Sequence, residues 1–179
     1  MNTQTIANIY ADNDKIRKHF NETLAALTDR EASSLPEGEK WTISQIVEHV
    51  SIVEDGITRL CSKLLSEAQA AGKGSDGTAN ISDGFMKKGE ELARIKVEAP
   101  ERVHPVGDKT IAESMAKLEE NRTKLNELRP LFESCDCNEN KFPHPFLGDI
   151  SAGEWLTLIG GHESRHLRQI KNVLAKIGQ

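Results

Sequence analysis

The sequence is poor in cysteine, in aromatic residues and in long apolar runs. It has three cysteines, an odd and small number that does not suit a disulfide framework, and 4% aromatic residues. No run approaches the roughly 18 apolar residues that a membrane-spanning helix needs. The segment 1–15 is polar and lacks the apolar core of a secretory signal. We therefore expect a cytoplasmic protein with no membrane partner.

Acidic and basic residues are both scattered through the whole chain, so charges of one sign are not concentrated in one segment. The net charge of -5 argues against nucleic acid as a partner. Charged residues make up 28% and hydrophobic residues 37%, a mixture that suits amphipathic helices with one apolar stripe each. A chain of 179 residues is long enough for one domain with a sizeable core. We expect a single domain over residues 1–179.

Four long segments carry apolar residues three or four positions apart, the spacing of a helix that faces a core. Two of these segments begin with a capping box, Thr42 with Gln45 and Ser151 with Glu154. The pattern predicts an all-α four-helix bundle, with no sheet beyond a stray bridge. The predicted helices span approximately residues 3–28, 42–70, 110–131 and 151–177.

The connection between the second and third long helices is unusually long, at about 38 residues. It contains a glycine-rich stretch, a short predicted helix near 85–94, and a segment with Pro100 and Pro105 that reads as extended. Such a connection could cross the end of the bundle or cover a pocket. The order of the helices in the bundle therefore stays open.

Three histidines fall on the predicted core faces. His162 and His166 are four residues apart, so they lie one turn apart on the same face of the last helix. Each buried ring nitrogen without a partner would cost about 1–3 kcal/mol, and a shared metal ion removes that cost. His49 faces the core from the second helix at a comparable depth. The three histidines predict a metal site with an open position for water, as in catalytic sites.

Two other interpretations of these histidines stay open. In the first, the bundle holds no metal and the imidazoles form hydrogen bonds to carboxylates such as Glu54. In the second, residues 162–166 form the H-E-x-x-H pattern of zinc proteases. The protease interpretation lacks a third ligand, since no His, Asp or Glu follows His166. We expect Glu163 to be a solvated carboxylate, because it points about 100° away from His162 around the helix.

Two motifs give the chain a family resemblance. The spacing W-x7-H joins Trp41 to His49, and H-x3-H-x2-Q-I runs from His162 to Ile170. Together with the H-P-F-L-G segment at 144–148 and the extended residues 99–105, they resemble the DinB-like (DinB/YfiT) superfamily over about residues 5–177. The resemblance implies a four-helix bundle with one divalent metal ion, zinc or nickel, on three histidines. These match His49, His162 and His166.

The resemblance also implies an activity and an assembly. It suggests a metal-dependent transferase or hydrolase that uses a low-molecular-weight thiol, such as bacillithiol or mycothiol, on a small electrophilic substrate. It further suggests a homodimer. On this hypothesis the metal would activate a bound water or thiol, and Glu48, Glu54, Arg122 or His104 could assist, although we assign none of them as catalytic. The alternative is a non-catalytic, metal-stabilised scaffold or a stress-associated binding module.

Overall fold

The computed structural model describes residues 2–178, most of which lie in helices, and it confirms the predicted four-helix bundle. The long helices α1, α3, α5 and α6 form the bundle, while α2 and α4 are short. A single 3₁₀ turn, Glu101–Val103, lies in the connection between α4 and α5. In chain order the helices are α1 (Ile6–Ala25), α2 (Asp29–Ser33), α3 (Ile43–Ala70), α4 (Asp83–Arg94), α5 (Ile111–Ser134) and α6 (Ala152–Ile177).

Two small antiparallel ribbons accompany the helices, so the expectation of no sheet beyond a stray bridge is wrong. The first pairs β1 (Asn2–Thr5) with β2 (Thr78–Ile81). The second pairs β3 (Lys141–His144) with β4 (Gly148–Ser151). Each strand has four residues, too few for an alternating pattern to stand out in the sequence. The first ribbon joins residues Asn2–Thr5 to the loop between α3 and α4, and the second lies within the loop between α5 and α6. Both ribbons lie at the same end of the bundle.

The predicted starts of α3, α5 and α6 agree with the structure, whereas the first helix is shorter than predicted. It begins at Ile6 because Asn2–Thr5 form β1, and it ends at Ala25, three residues before the predicted end. Both expected capping boxes form, at Thr42 on α3 and at Ser151 on α6. In contrast, α5 continues past Pro130 to Ser134, about one turn beyond the predicted end. The last turn is retained because it carries Phe132, which is fully buried in the core. Packing here outweighs the backbone hydrogen bond that proline removes.

Two apolar clusters mark the ends of the core and fix the direction of each helix. One cluster combines the beginnings of α1 and α6 with the later parts of α3 and α5. The other combines the beginnings of α3 and α5 with the later parts of α1 and α6. Helices α3 and α5 are therefore parallel neighbours, and both run antiparallel to α1 and α6. This answers the question of helix order, since the long connection must run back along the length of the bundle.

A layer of buried polar side chains separates the two apolar clusters. All four long helices contribute to it at mid-height, and the layer contains two of the three histidines singled out above. Within the described residues, no helix is long and apolar enough to cross a membrane. The buried polar residues of the layer are Asn13, Arg17, His49, Ser51, Glu54, Asn121, Arg122, Glu163 and His166.

Candidate metal centre

The structure brings the three histidines together at the polar layer, with His49 and His166 inside it and the partly exposed His162 at its edge. His49 lies in the second turn of α3, while His162 and His166 lie on successive turns of α6, which packs antiparallel against α3. Each residue offers a ring nitrogen, and these nitrogens all lie within 4.8 Å of one another. The imidazole of His49 lies 5.1 Å from that of His162 and 4.9 Å from that of His166, centroid to centroid. This arrangement could hold a metal ion.

Hydrogen bonds from outside the cluster fix the orientation of two rings. His49 Nδ1 lies 2.7 Å from the backbone oxygen of Val103. His166 Nδ1 lies 2.8 Å from Oε1 of Gln169. Because both oxygens only accept, Nδ1 must carry the hydrogen in each ring, and the Nε2 lone pair is left to face the cluster. Metal-binding histidines usually have such a partner on the second nitrogen.

The separation of the two α6 ligands fits a single ion. His166 Nε2 lies 3.1 Å from His162 Nε2. For an ion about 2.05 Å from each nitrogen, this separation corresponds to an N–ion–N angle of about 98°. That angle lies between the octahedral and the tetrahedral values, so the helical spacing of four residues places both nitrogens at a usable distance. Imidazole nitrogens suit several divalent metals, zinc and nickel among them.

The surroundings keep the three imidazoles neutral. Burial lowers the pKa of His49. Burial, followed by the proximity of His49, lowers the pKa of His166 to about 3. Burial and then the two neighbouring histidines lower the pKa of His162 well below its usual value. At neutral pH the cluster therefore offers unprotonated nitrogens, which is the form that binds metals.

Access to the cluster is uneven. His49 and His166 are only 3% and 6% exposed, whereas His162 is partly exposed. On the His49 side, the Trp41 ring lies 4.9 Å from the imidazole, and His104 packs edge-on against Trp41 at 5.7 Å. The loop that carries His104 thus folds over one side of the site. A small molecule would reach the three rings from the side of His162.

Residues next to the histidines hold the long connection in place. The Glu48 carboxylate accepts hydrogen bonds from the backbone N–H groups of Val106 and Gly107, at 3.0 and 2.9 Å. Gly107 has φ +87°, and a side chain there would press against Gln45. On α6, Arg165 donates to the backbone oxygens at the end of α4. Glu48 therefore anchors the connection and is not positioned as a reacting group.

Glu163 and Glu54 differ most from the sequence-based expectations. Glu163 is fully buried, not solvated, and it pairs with Arg17 of α1. Glu54 also pairs with Arg17, so it is not the hydrogen-bond partner of the histidines. The expectation for Glu163 failed because α1 covers the side of α6 that lies 100° from His162. In the H-E-x-x-H protease mechanism the glutamate faces the metal-bound water, whereas here it is held by an arginine.

The remaining candidates lie outside the histidine cluster. Arg122 is buried and pairs with Asp14 at 2.9 Å, so it belongs to the polar layer. His144 lies in β3, where its Nδ1 accepts from two backbone N–H groups at 3.2 Å. His19 is exposed beside Glu22 on α1. None of these side chains has a ring nitrogen or carboxylate in the three-histidine group.

The fold and the site define a class of four-helix-bundle proteins with a three-histidine centre. Residues 13–170 match the DinB superfamily, and the chain belongs to that family. It is 25% identical over 162 residues to the uncharacterized protein YuaE of Bacillus subtilis (strain 168), a match that covers 86% of this chain and 90% of YuaE. The crystal structure of TT2238, a four-helix bundle protein, has a TM-score of 0.62 at 22% identity. The structural match covers 94% of this chain and 99% of the TT2238 chain. This second likeness shows the fold alone.

Proposed function

We propose that the protein binds one divalent metal ion, zinc or nickel, through His49, His162 and His166. The observation that carries the proposal is the convergence of three neutral imidazoles whose nitrogens lie within 4.8 Å of one another. Without a cation, the three converging nitrogens share at most one hydrogen, on His162 Nε2, which lies 3.1 Å from His166 Nε2. Membership of the DinB superfamily supports the same site.

The metal-bound protein would act as a transferase or hydrolase that uses a low-molecular-weight thiol on a small electrophile. A divalent ion on three histidines lowers the pKa of a bound water or thiol, which makes it a nucleophile near neutral pH. Val103 and Gln169 hold two of the rings in a fixed orientation, and the partial exposure of His162 provides the entrance. Glu48 and Glu163 are engaged elsewhere, so we assign no side chain as general base.

A second candidate function is a non-catalytic, metal-stabilised scaffold or a stress-associated binding module. The observation that favours it is the closure of the long connection over His49, through Glu48, Arg165 and the Trp41 ring. In this case the ion would stabilise the fold without meeting a substrate. A cytoplasmic homodimer is part of either proposal, and light scattering of the purified protein tests the dimer.

Metal retention tests the site directly. The purified protein is loaded with zinc or nickel at about pH 7.5, where imidazole is neutral, then desalted and analysed by mass spectrometry. We expect about one ion per chain, and a large loss after His49→Ala, His162→Ala or His166→Ala. His19→Ala and His144→Ala serve as controls that should retain the ion. Equal retention by ligand and control variants, or none by the wild type, would contradict the proposal.

An activity assay separates the two candidate functions. The metal-loaded protein is incubated with a thiol such as bacillithiol and with 1-chloro-2,4-dinitrobenzene, an electrophile that reports thiol transfer by its absorbance. The enzymatic proposal predicts turnover that EDTA treatment removes and added metal restores. Tight metal binding without turnover across a panel of thiols and electrophiles favours the scaffold.

A further inference from the structure

Arg17 is the side chain through which all four bundle helices meet. It lies in the middle of α1, and its Nε and Nη2 donate to Glu163 of α6 and Glu54 of α3. Its Nη1 lies 3.4 Å from the backbone oxygen of Leu118 on α5. Arg17 is 7% exposed, and the two carboxylate residues are 0% and 3% exposed. One guanidinium therefore links the three other long helices inside the core.

Two of these links lead to the helices that carry the histidines. Glu163 follows His162 directly in α6, and Glu54 lies five residues, or about 7.5 Å along the helix, after His49 in α3. Helix α6 packs against both α1 and α3, while α1 and α3 lie diagonally across the bundle from each other. The arginine thus spans the core and ties α3 to α6 near the level of the histidine cluster.

We propose that Arg17 is a positioning residue for the histidine centre, which sets the separation and rotation of α3 relative to α6. This inference rests on the proposed metal site. Metal ligands tolerate errors of only about 0.2 Å in distance, so small shifts between the two helices should be felt at the ion. A guanidinium holds two carboxylates in a fixed, planar fork, whereas an ammonium is a flexible point charge. The planar fork is therefore the feature that the site uses.

Arg122 provides a matched control in the same layer. It is as buried as Arg17, at 6% exposure, but it lies on α5 and pairs with Asp14 of α1. Neither α5 nor α1 carries one of the three histidines. The charge of Arg122 also acts on Glu54 and Glu163, and a lysine would keep that charge. Because its hydrogen bond goes to Asp14, replacing Arg122 by lysine disturbs a buried arginine without cutting a hydrogen-bonded link between the ligand-bearing helices.

The test compares Arg17→Lys with Arg122→Lys, both of which keep the charge. Metal affinity is measured by competition with a chelator, and the visible absorption spectrum of bound Co²⁺ reports the coordination geometry. In the metal-free protein, NMR cross-relaxation between the rings of His49 and His166 reports their proximity directly. Circular dichroism selects a temperature at which all variants are folded. Glu54→Gln, which weakens one link at constant size, is the second variant if Arg17→Lys does not fold.

We expect Arg17→Lys to weaken metal binding by about 10-fold or more, to change the Co²⁺ spectrum and to reduce the ring-to-ring signal. Arg122→Lys should leave all three close to the wild type, even where it lowers the melting temperature. The proposal is overturned if Arg17→Lys keeps the wild-type affinity and spectrum, or if both variants change them equally. Should the wild type bind no metal, the proposed function fails, and the metal-free NMR comparison still decides the role of Arg17.

Discussion

The histidine cluster (His49, His162 and His166) and the charged cluster (Arg17, Glu54 and Glu163) solve the same burial problem in opposite ways. The charged cluster buries full charges and compensates them internally. The histidine cluster buries neutral rings whose second nitrogens are bonded outward and whose remaining nitrogens converge. The charged cluster already contains its cation, although Glu54 Oε1 and Glu163 Oε2 are buried without a hydrogen-bond partner. The histidine cluster contains no charge of its own, and its ring nitrogens converge to within 4.8 Å of one another. A candidate cation site is therefore recognised by the convergence of neutral ligand atoms, since both clusters are equally polar in sequence.

The largest effect should come from removing the arginine of the charged cluster. Arg17→Met leaves two buried carboxylates without their hydrogen-bonded cation and with the charge of Arg122 as the remaining neighbour, which we expect to cost about 3–5 kcal/mol of unfolding free energy. Urea denaturation followed by circular dichroism measures the change. Adding Glu54→Gln and Glu163→Gln to the same chain should recover part of the loss, because the uncompensated charges are then gone. An Arg17→Met protein as stable as the wild type would show that the cluster is solvated.

At the histidine cluster, the free energy of unfolding should depend on bound metal and not on a countercharge. Zinc at 100 times its dissociation constant should stabilise the wild type by about 2.7 kcal/mol, because it binds only the folded state. Thermal melts with and without zinc measure this as a shift in the melting temperature. The shift should vanish in His166→Ala and persist in His19→Ala. An equal shift in both variants would place the bound zinc elsewhere.

Two adjacent glycines on α6 test how closely α1 must approach the polar layer. A Cβ on Gly160 would overlap Asn13 Oδ1 and lie 3.0 Å from Ile16 Cδ1, whereas Gly161 has nothing within 4 Å. Asn13 cannot move freely, because its amide donates to the Leu156 oxygen at 3.0 Å. Gly160→Ala should therefore destabilise the protein by about 1–3 kcal/mol.

Gly161→Ala is the matched control, and it should be neutral or stabilising by up to about 1 kcal/mol, because alanine favours the helix. Urea denaturation of both variants measures the difference. Equal stabilities would show that α1 can retreat from α6 without cost.

The last effect depends on pH and concerns His144, a histidine outside the cluster that has its own partners. Burial, and then the charge of Arg102, lower the pKa of His144 from 6.5 to about 4. The unfolded chain therefore binds a proton more readily, so stability should be lost as the pH falls from about 6.5 to 4. Protonation also removes the Nδ1 acceptor of two backbone N–H groups.

His144→Asn keeps an acceptor at a similar position but does not titrate. Denaturation curves at pH 7, 6, 5 and 4 should show a shallower loss of stability for this variant than for the wild type. Parallel pH profiles would show that His144 contributes nothing to the acid sensitivity. The three-histidine cluster would then be left as the main source among the histidines.

The features that the sequence predicted well are those that depend on the spacing of residues close together in the chain. The helical period, the capping boxes at Thr42 and Ser151, and the placement of His162 and His166 on one face all depend on residues within a few turns. Gln169 was also visible as part of the H-x3-H-x2-Q-I motif, although its role as the partner of His166 was not. Arg17 could have been suspected, because it lies between Asn13 and Phe20 on the buried stripe of α1.

By itself the sequence determined that four amphipathic helices form and that three histidines face their common core. Tertiary structure alone decided the parallel arrangement of α3 and α5, the backbone oxygen of Val103 as partner of His49, and the burial of Glu163. The physical reason is that periodicity tells which side of a helix is apolar, but not which neighbour covers the adjacent side. Glu163 lies beside the apolar face of α6, and it is buried because α1 packs over that side and supplies Arg17 as its countercharge.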